Sequence, residues 1–326
     1  MKKIILDTLG IDSGLNTLIK GAIDASKIYP EYRIVLVGKE QEIKDSIKFF
    51  DGSVDSFDIV NADVEFKGTD SPMDIPRGRD ETSLVTSLMM LRNDEDAVAM
   101  ITCGSTGGFI VGSAFRVGMI DGVRQPALAS PMININKRWF ALVDCGANLD
   151  CDSKTLVKFA KMGSALMKSA FGNFENPRVG LLNVGKEERK GNAVLKETYP
   201  LLKEASLNFI GNIEGHDIYL DKADVVVCDG YTGNVFLKGA SALSSICEHI
   251  VYSCGKDDPN ILKAKETLHK MFNYNEQGAA IVLGPRKICL KAHGTATSET
   301  IVSSIRFAVD LDKGGFINHM KEELGK

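Results

Sequence analysis

Short hydrophobic runs alternate with longer amphipathic stretches along the whole chain. The runs are four to six residues long and nearly continuous, which is typical of strands covered on both faces of a parallel or mixed sheet. Nine of these runs are predicted strands: Lys3–Leu6, Arg33–Val37, Ala97–Thr102, Ala127–Pro131, Phe140–Asp144, Val179–Asn183, Asn208–Gly211, Val225–Cys228 and Ile288–Lys291.

The stretches between the runs carry hydrophobic residues at helical spacing. Eight are predicted helices: Leu15–Lys27, Thr82–Leu91, Gly107–Val117, Ser153–Ala170, Ala193–Glu204, Val235–Val251, Asn260–Phe272 and Ser298–Asp310. Strands that alternate with helices favour a doubly wound α/β architecture, and we expect one large domain over residues 1–326. The two consecutive helices joined by Gly255 and Pro259 predict a helical hairpin within residues 235–275.

The amino-acid composition of the chain disfavours several classes of function. The chain has 326 residues, of which 25% are charged, and a net charge of −4, so we expect no nucleic-acid partner. Its seven cysteines contain no CxxC pair and fit the reduced thiols of a cytoplasmic protein. Its five histidines lack metal-binding spacing, so we expect neither a metal nor a cofactor.

Four predicted strands end in glycines accompanied by hydroxyl, amide or cationic side chains, each just before a helix. Glycine lets the backbone approach a ligand, and a helix N-terminus offers free N–H groups, so such ends can bind phosphate. Neither a GxxxxGK[ST] nor a GxGxxG pattern is present, which disfavours a nucleotide. The same residue types are also ordinary helix caps and turn formers, and this structural interpretation stays open for each end.

Individual residues at these ends have competing interpretations. Lys190 lies in the polar stretch "KEERKGN", which is either a solvated charge run or the source of a cation for phosphate. His293 either donates to phosphate or is an ordinary hydrogen-bonded imidazole. Asp144 and Asn148 either line the same sheet edge or form a turn. No cysteine stands out as a nucleophile.

Taken together, several segments resemble the PlsX-type phosphate acyltransferases. They occur in that family's order and span nearly the whole chain: "VDCGAN" (Val143–Asn148), "PRVGLLNVG" (Pro177–Gly185), "KGN" (Lys190–Asn192), "NFIGNIEGHDI" (Asn208–Ile218), "ADVVVCDGYTGNVFLK" (Ala223–Lys238) and "KAHG" (Lys291–Gly294). "DGYTGN" directly after "ADVVV" is the most specific of them.

The resemblance implies a homodimer with a three-layer α/β/α fold, similar to isopropylmalate dehydrogenases and phosphotransacetylases. It implies transfer of a fatty acyl group from acyl-[acyl carrier protein], or from acyl-CoA, to inorganic phosphate, giving acyl phosphate for phospholipid synthesis. Lys190 and Asn234 match the family's catalytic positions. The expected phosphate- or substrate-binding residues are Ser105, Thr106, Gly107, Thr232, Gly233, His293 and Gly294.

The chain departs from the family pattern in three loops. Ile11 and Ser105 stand where the family has a glycine and an asparagine, and Gly278–Ile281 replaces a "GGAP" segment. These differences leave two alternatives open, a short-chain phosphotransacylase and a non-catalytic paralogue that binds carrier protein. The hairpin tip "CGKDDPN" is polar, and its two aspartates would be repelled by anionic headgroups. We therefore expect only a weak peripheral membrane contact.

Overall fold

A computed structural model describes residues 1–172, 174–272 and 278–325. The chain forms two compact units. The first comprises residues 1–126 and 278–317, and the second comprises residues 127–277 and 318–326. The expectation of one domain over the whole chain stays a prediction.

The first unit contains a mixed, mostly parallel sheet with the strand order β3-β2-β1-β4-β11-β10. Only the β10–β11 pair in this order is antiparallel. The elements of this unit are β1 (Lys2–Asp7), α1 (Leu15–Ile28), β2 (Tyr32–Gly38), α2 (Glu40–Phe49), β3 (Phe57–Asn61), α3 (Ser83–Asn93), β4 (Ala97–Thr102), α4 (Thr106–Gly112), β10 (Ala280–Leu283), β11 (Ile288–Lys291) and α9 (Ser298–Lys313).

The second unit contains a sheet with the order β5-β6-β9-β7-β8, in which only the β5–β6 pair is antiparallel. Its elements are β5 (Ala127–Ile133), β6 (Trp139–Val143), α5 (Ser153–Ala170), β7 (Arg178–Leu182), α6 (Ala193–Glu204), β8 (Asn208–Ile213), β9 (Val225–Val227), α7 (Gly230–Ser253) and α8 (Pro259–Phe272). A last helix, α10 (Phe316–Gly325), starts in the first unit, and the rest of it belongs to the second.

The predicted fold class, a mostly parallel α/β sheet with helices on both sides, is confirmed. The hydrophobic runs of its central strands are buried, with Ile4 and Leu6 in β1 and Val225–Val227 in β9 fully inaccessible. The strands β3 and β10 and the helices α2 and α10 were not predicted. The helix α7 begins at Gly230 rather than Val235, so the hexapeptide Asp229–Asn234 is a helix start and not a loop.

The two consecutive helices α7 and α8 pack against each other, and His269 of α8 lies 3.1 Å from a carboxylate oxygen of Glu248 on α7. Residues 273–275 of the expected hairpin lie outside the described residues. Within the described residues, no helix is long and apolar enough to cross a membrane.

Candidate functional site

The carboxyl end of β6 is organised around one buried acid, Asp144. Its carboxylate accepts hydrogen bonds from the backbone N–H groups of Leu128, Gly146, Ala147 and Asn148, and from the Asn148 side-chain amide, at 2.8–3.0 Å. Five donors compensate for burying the charge, and they fix the turn that follows the strand. Asp144 and Asn148 are therefore turn formers at this end of the second unit.

The helix α7 starts directly against this turn. The N–H of Gly230 donates to the carbonyl of Asn148 at 2.7 Å. A Cβ on Gly233 would lie 1.9 Å from the carbonyl oxygen of Asp144, and one on Gly230 would lie 2.5 Å from the carbonyl oxygen of Asn148. Both glycines of "DGYTG" are thus required by backbone-to-backbone packing, a reason that the sequence alone did not reveal.

Two polar side chains of the predicted site lie in the first turn of α7. Asp229 is the N-cap, and its carboxylate accepts both the N–H and the hydroxyl of Thr232, at 2.8 and 2.9 Å. The side-chain amide of Asn234 donates to the carbonyl of Cys145 at 3.1 Å, which holds it against the Asp144 turn. The structure therefore brings Thr232, Gly233 and Asn234 together, with ordinary capping at the helix end.

Lys190 lies at the carboxyl end of β7, in a tight turn in which its own N–H donates to the carbonyl of Glu187 at 3.0 Å. The next residue, Gly191, has a φ of +90°, and the amide of Asn183 donates to the Lys190 carbonyl at 3.2 Å. The Lys190 side chain is exposed and, in the part of the chain that the structure describes, pairs with no carboxylate. Its ammonium is thus available to an anionic ligand.

A cavity of about 650 Å³ lies beside these elements, wholly within the second unit. It is bounded by the end of β7, the residues after Lys190, and the first two turns of α7. Its lining residues are Leu182, Asn183, Val184, Gly191, Asn192, Leu195, Gly215, Cys228, Asp229, Tyr231, Thr232, Val235 and Phe236. Lys190 and Asn234 border this set without belonging to it. Asn183, which the sequence reading did not single out, both lines the cavity and clamps the Lys190 turn.

The first unit carries a separate cluster at the ends of its adjacent strands β1, β4 and β11. Ser105 caps α4 by accepting the N–H of Gly108 at 3.3 Å, with Thr106 and Gly107 in the first turn. A Cβ on Gly107 would lie 2.9 Å from the Pro72 ring, so that glycine also has a packing reason. These three predicted residues lie together at one helix N-terminus.

The loop after β11 brings His293 and Gly294 to the same region of the first unit. The carbonyl of Gly294 accepts the N–H of Asp12 at 2.7 Å, and a Cβ on Gly294 would lie 2.1 Å from the Asp12 carboxylate. Burial, reinforced by the nearby Lys291, lowers the pKa of His293, so its imidazole is neutral at pH 7. Nδ1 of His293 lies 2.8 Å from the Thr295 hydroxyl and 3.3 Å from the Thr295 N–H. In the tautomer in which Nδ1 accepts from Thr295, Nε2 carries the proton and can donate to an anion.

Below this loop lies a buried acid, Asp7, at the end of β1. Its carboxyl accepts the hydroxyls of Ser83 and Thr102 at 2.7 and 2.9 Å. Burial raises its pKa to about 6, and those hydrogen bonds only partly offset the shift. Asp7 fixes the ends of β1 and β4, a structural role that the sequence reading did not identify.

The thiols near the second-unit cavity are poor nucleophiles. Burial raises the pKa of Cys151 to about 12 and raises the pKa values of Cys145 and Cys228 further. A thiol that stays protonated at neutral pH cannot attack a carbonyl efficiently. Covalent catalysis by these three cysteines is therefore disfavoured.

One group of potential metal ligands occurs in the described ranges, namely Glu214, His216 and Asp217. These residues already serve a local function, because Glu214 and Asp217 form a reciprocal capping box around a short 3₁₀ turn. Asp217 also pairs with Lys186 at 3.2 Å. The arrangement accounts for Glu214 and Asp217 without an ion, and Nε2 of His216 lies 3.4 Å from the Asp217 carboxylate.

Comparison with known proteins gives consistent matches. The family model described as "Fatty acid synthesis protein" matches residues 2–319. A protein from Clostridium novyi named phosphate acyltransferase is 35% identical, with 99% of this chain and 98% of that protein covered. A phosphate acyltransferase from Bacillus cereus is 37% identical, with 93% and 92% covered.

Among solved structures, a phosphotransacetylase from Streptococcus pyogenes has a similar fold. The TM-score is 0.65 at 14% sequence identity, with 96% of this chain and 94% of that chain covered. At this identity the likeness concerns the fold alone.

Proposed function

The chain belongs to the fatty acid synthesis protein family, as its motifs indicated, and on that basis we propose that it is a phosphate acyltransferase. In the proposed reaction a fatty acyl thioester of acyl carrier protein, or of CoA, reacts with inorganic phosphate. The observation that carries the proposal is the similarity to phosphate acyltransferases over 99% of the chain, which includes the Lys190 turn and the start of α7.

The proposed reaction requires few catalytic groups from the protein. An oxygen of hydrogen phosphate attacks the thioester carbonyl carbon and forms a C–O bond, and the carbonyl oxygen takes up the negative charge. When the C=O bond re-forms, the C–S bond breaks, and the phosphate proton passes to the departing thiolate. Phosphate is itself the nucleophile and thiolate is a good leaving group, so the enzyme must chiefly position the reactants and stabilise developing negative charge. The high pKa values of the three nearby thiols are consistent with direct transfer.

We assign Lys190 to charge stabilisation, because its exposed ammonium extends from a turn fixed by Asn183 and Gly191. Asn234 orients the phosphate or the carbonyl: one of its N–H groups is anchored on the Cys145 carbonyl, and the amide has a second N–H to offer. Thr232 and Gly233 complete this part of the site. The anion-binding role expected of Ser105, Thr106, Gly107, His293 and Gly294 in the first unit stays a prediction.

The test is acyl phosphate formation trapped with hydroxylamine, using palmitoyl-[acyl carrier protein], acetyl-CoA and butyryl-CoA as donors. We expect activity with the long-chain donor and its loss in Lys190→Ala. Lys196→Ala, which removes another exposed lysine from α6, is the control and keeps full activity. Activity with the short donors only would support a short-chain phosphotransacylase. A folded protein silent with every donor would overturn the proposal and support a binding role.

Two assembly properties accompany this proposal. A homodimer would cover part of the apolar surface of α7 outside its cavities, where Ile246 and Ile250 are each more than half exposed. Light scattering after size-exclusion chromatography should give twice the mass of the chain, and a monomer at all concentrations would contradict it.

Membrane contact is proposed to be weak and peripheral, with the enzyme otherwise in the cytoplasm. The turn between α7 and α8 carries Asp257 and Asp258, both exposed, and anionic headgroups repel such charges. Strong pull-down on anionic liposomes at physiological salt would refute this expectation.

A further inference from the structure

A second cavity continues from the first along α7. It has a volume of about 400 Å³ and shares the lining residues Gly215, Val235 and Phe236 with the first cavity. Its other walls include Tyr219 and Phe272, and its floor is α7 from Gly239 to Cys247. Both cavities lie within the second unit and adjoin each other through three shared lining residues, and we refer to them together as the α7 groove.

The α7 groove follows a single face of the helix. Its helical lining positions are 231, 232, 235, 236, 239, 240, 243, 244 and 247, which recur every three or four residues. Gly239 and Ala240 lie at its middle, where the absence of large side chains leaves the groove open. A groove along one stripe of a straight helix suits an extended, unbranched occupant.

The chemistry of the second cavity indicates what that occupant is. Among the described residues that line it, none is an aspartate, glutamate, lysine or arginine. An aromatic cluster forms one side, in which the Tyr219 ring lies 5.9 Å from that of Phe236 and 4.9 Å from that of Phe272. Such aromatic walls gain from contact with hydrocarbon. The polar side chains in the lining are those of His216, Tyr219 and Ser244.

We propose that the α7 groove holds the hydrocarbon chain of the acyl donor, with the thioester at its Thr232 end and the chain terminus near Cys247. The identity of the thioester rests on the proposed function, and the groove adds where its acyl chain binds. The groove begins beside the residues assigned to the reaction, Lys190 and Asn234, which is where the carbonyl has to lie. It thereby makes the enzyme selective for long acyl chains.

The dimensions fix the expected chain length. From Thr232 to Cys247 the helix rises by about 22 Å, at about 1.5 Å per residue. An extended saturated chain advances by about 1.25 Å per carbon, from the C–C bond length and angle, so the groove matches about 16 to 18 carbons. Gly239 lies about 10 Å from Thr232, a distance that corresponds to about eight carbons.

Gly239 gives a selective way to block the groove. A Cβ built on this residue has no atom within 4 Å, and its φ is not in the left-handed region. The substitution Gly239→Leu therefore adds a side chain that the surrounding protein accommodates and that projects into the groove. Ala242→Leu is the matched control, since it introduces the same side chain at an exposed position of the same helix outside the groove.

The experiment measures two quantities on the full-length protein and both variants. One is kcat/KM for acyl phosphate formation from octanoyl and palmitoyl donors, and the other is the binding of palmitate and octanoate by calorimetry. In Gly239→Leu we expect the palmitoyl-to-octanoyl ratio of kcat/KM to fall at least tenfold and palmitate binding to weaken at least tenfold. Ala242→Leu should stay within twofold of the wild-type protein in both. Ala240→Leu, blocking the neighbouring position, is the second variant if Gly239→Leu is misfolded by circular dichroism.

The two readouts separate this inference from the proposed function. A wild-type enzyme that forms acyl phosphate, with a chain-length ratio unchanged in both groove variants, overturns the α7 groove and leaves the function standing. A protein that forms no acyl phosphate yet binds palmitate in a manner sensitive to Gly239 supports the groove and refutes the reaction. Palmitate binding that neither groove variant weakens overturns the proposal.

Discussion

The start of α7 allows a sharp test of why its glycines are there. A methyl group at Gly233 would lie 1.9 Å from the carbonyl oxygen of Asp144 and 3.0 Å from Sγ of Cys228. Asp144 has little freedom to move away, because its own N–H is bonded to the Cys228 carbonyl at 3.0 Å and its carboxylate accepts five hydrogen bonds. The helix would have to shift instead, or the turn would have to break.

We therefore expect Gly233→Ala to destabilise the second unit. Overpacking costs about 1 to 3 kcal/mol, and this exceeds the gain of about 0.5 to 1 kcal/mol from replacing glycine by alanine within a helix. Gly239→Ala is the matched control in the same helix, and since nothing opposes its methyl group we expect it to stabilise the protein by about 0.5 to 1 kcal/mol. Since both variants share the gain from replacing glycine by alanine, they should differ by the overpacking cost, about 1 to 3 kcal/mol.

The single tryptophan of the chain, Trp139, allows unfolding of the second unit to be measured by fluorescence. Trp139 lies in β6, five residues before Asp144, whose carbonyl oxygen the methyl group would meet, and stacks on Phe171 with ring centroids 4.7 Å apart. Its fluorescence during urea unfolding reports the second unit, and the free energy of unfolding follows by linear extrapolation. If Gly233→Ala proves as stable as Gly239→Ala, the packing explanation for these glycines is wrong.

Three further predictions concern charge and catalysis. Lys190→Ala should lower kcat about 10²- to 10³-fold, as loss of an oxyanion-stabilising group does, while the exposed position leaves the urea midpoint unchanged; a loss confined to stability would contradict the assignment. Asn234→Ala should lower kcat/KM by about tenfold or more because the reactants lose orientation, and activity near that of the wild type would remove Asn234 from the site. Burial raises the pKa of Asp7 to about 6 from 3.8, so the folded protein holds a proton that the unfolded chain releases. This contribution to stability is fully present below pH 3.8 and is lost as the pH rises through 6. The total loss in the free energy of unfolding is about 3 kcal/mol. In urea unfolding, the free energy of unfolding of Asp7→Asn minus that of the wild-type protein should therefore increase by about 2 kcal/mol from about pH 4.5 to pH 7.5. A difference that does not change with pH would mean that the Asp7 carboxyl titrates normally.

The pattern of hydrophobic runs predicted most of the architecture because most of the strands are buried on both faces. Two of the unpredicted elements, β3 and α2, carry a weaker version of that pattern. In β3 only Phe57 is buried, and the run is interrupted by Asp58. In α2 only Ile43, Ser46 and Ile47 are buried, which leaves a narrow stripe within a strongly charged sequence. Elements with one thin buried face give little periodicity to detect.

The candidate site was predictable as a set of strand ends but not as a set of contacts. The strand order places β6 beside β9, and this juxtaposition brings Asp144 against Gly233 across a long stretch of sequence. No local pattern encodes that contact, so the sequence leaves open whether the glycines of "DGYTGN" form a turn or make room for a ligand. The structure shows that they make room for another segment of the same chain.

This finding also changes how the hexapeptide contributes to function. Its glycines bring the first turn of α7 onto a turn held rigid by Asp144, and its Asp229 caps the helix through Thr232. The helix face that follows then forms the floor of the α7 groove. A shift of α7 would therefore displace Asn234 and the groove together, since both belong to the same rigid helix. On this view Gly233→Ala should impair turnover of every acyl donor alike, whereas Gly239→Leu should impair long chains only. Equal chain-length dependence in the two variants would contradict the division of α7 into a positioning first turn and a chain-binding continuation.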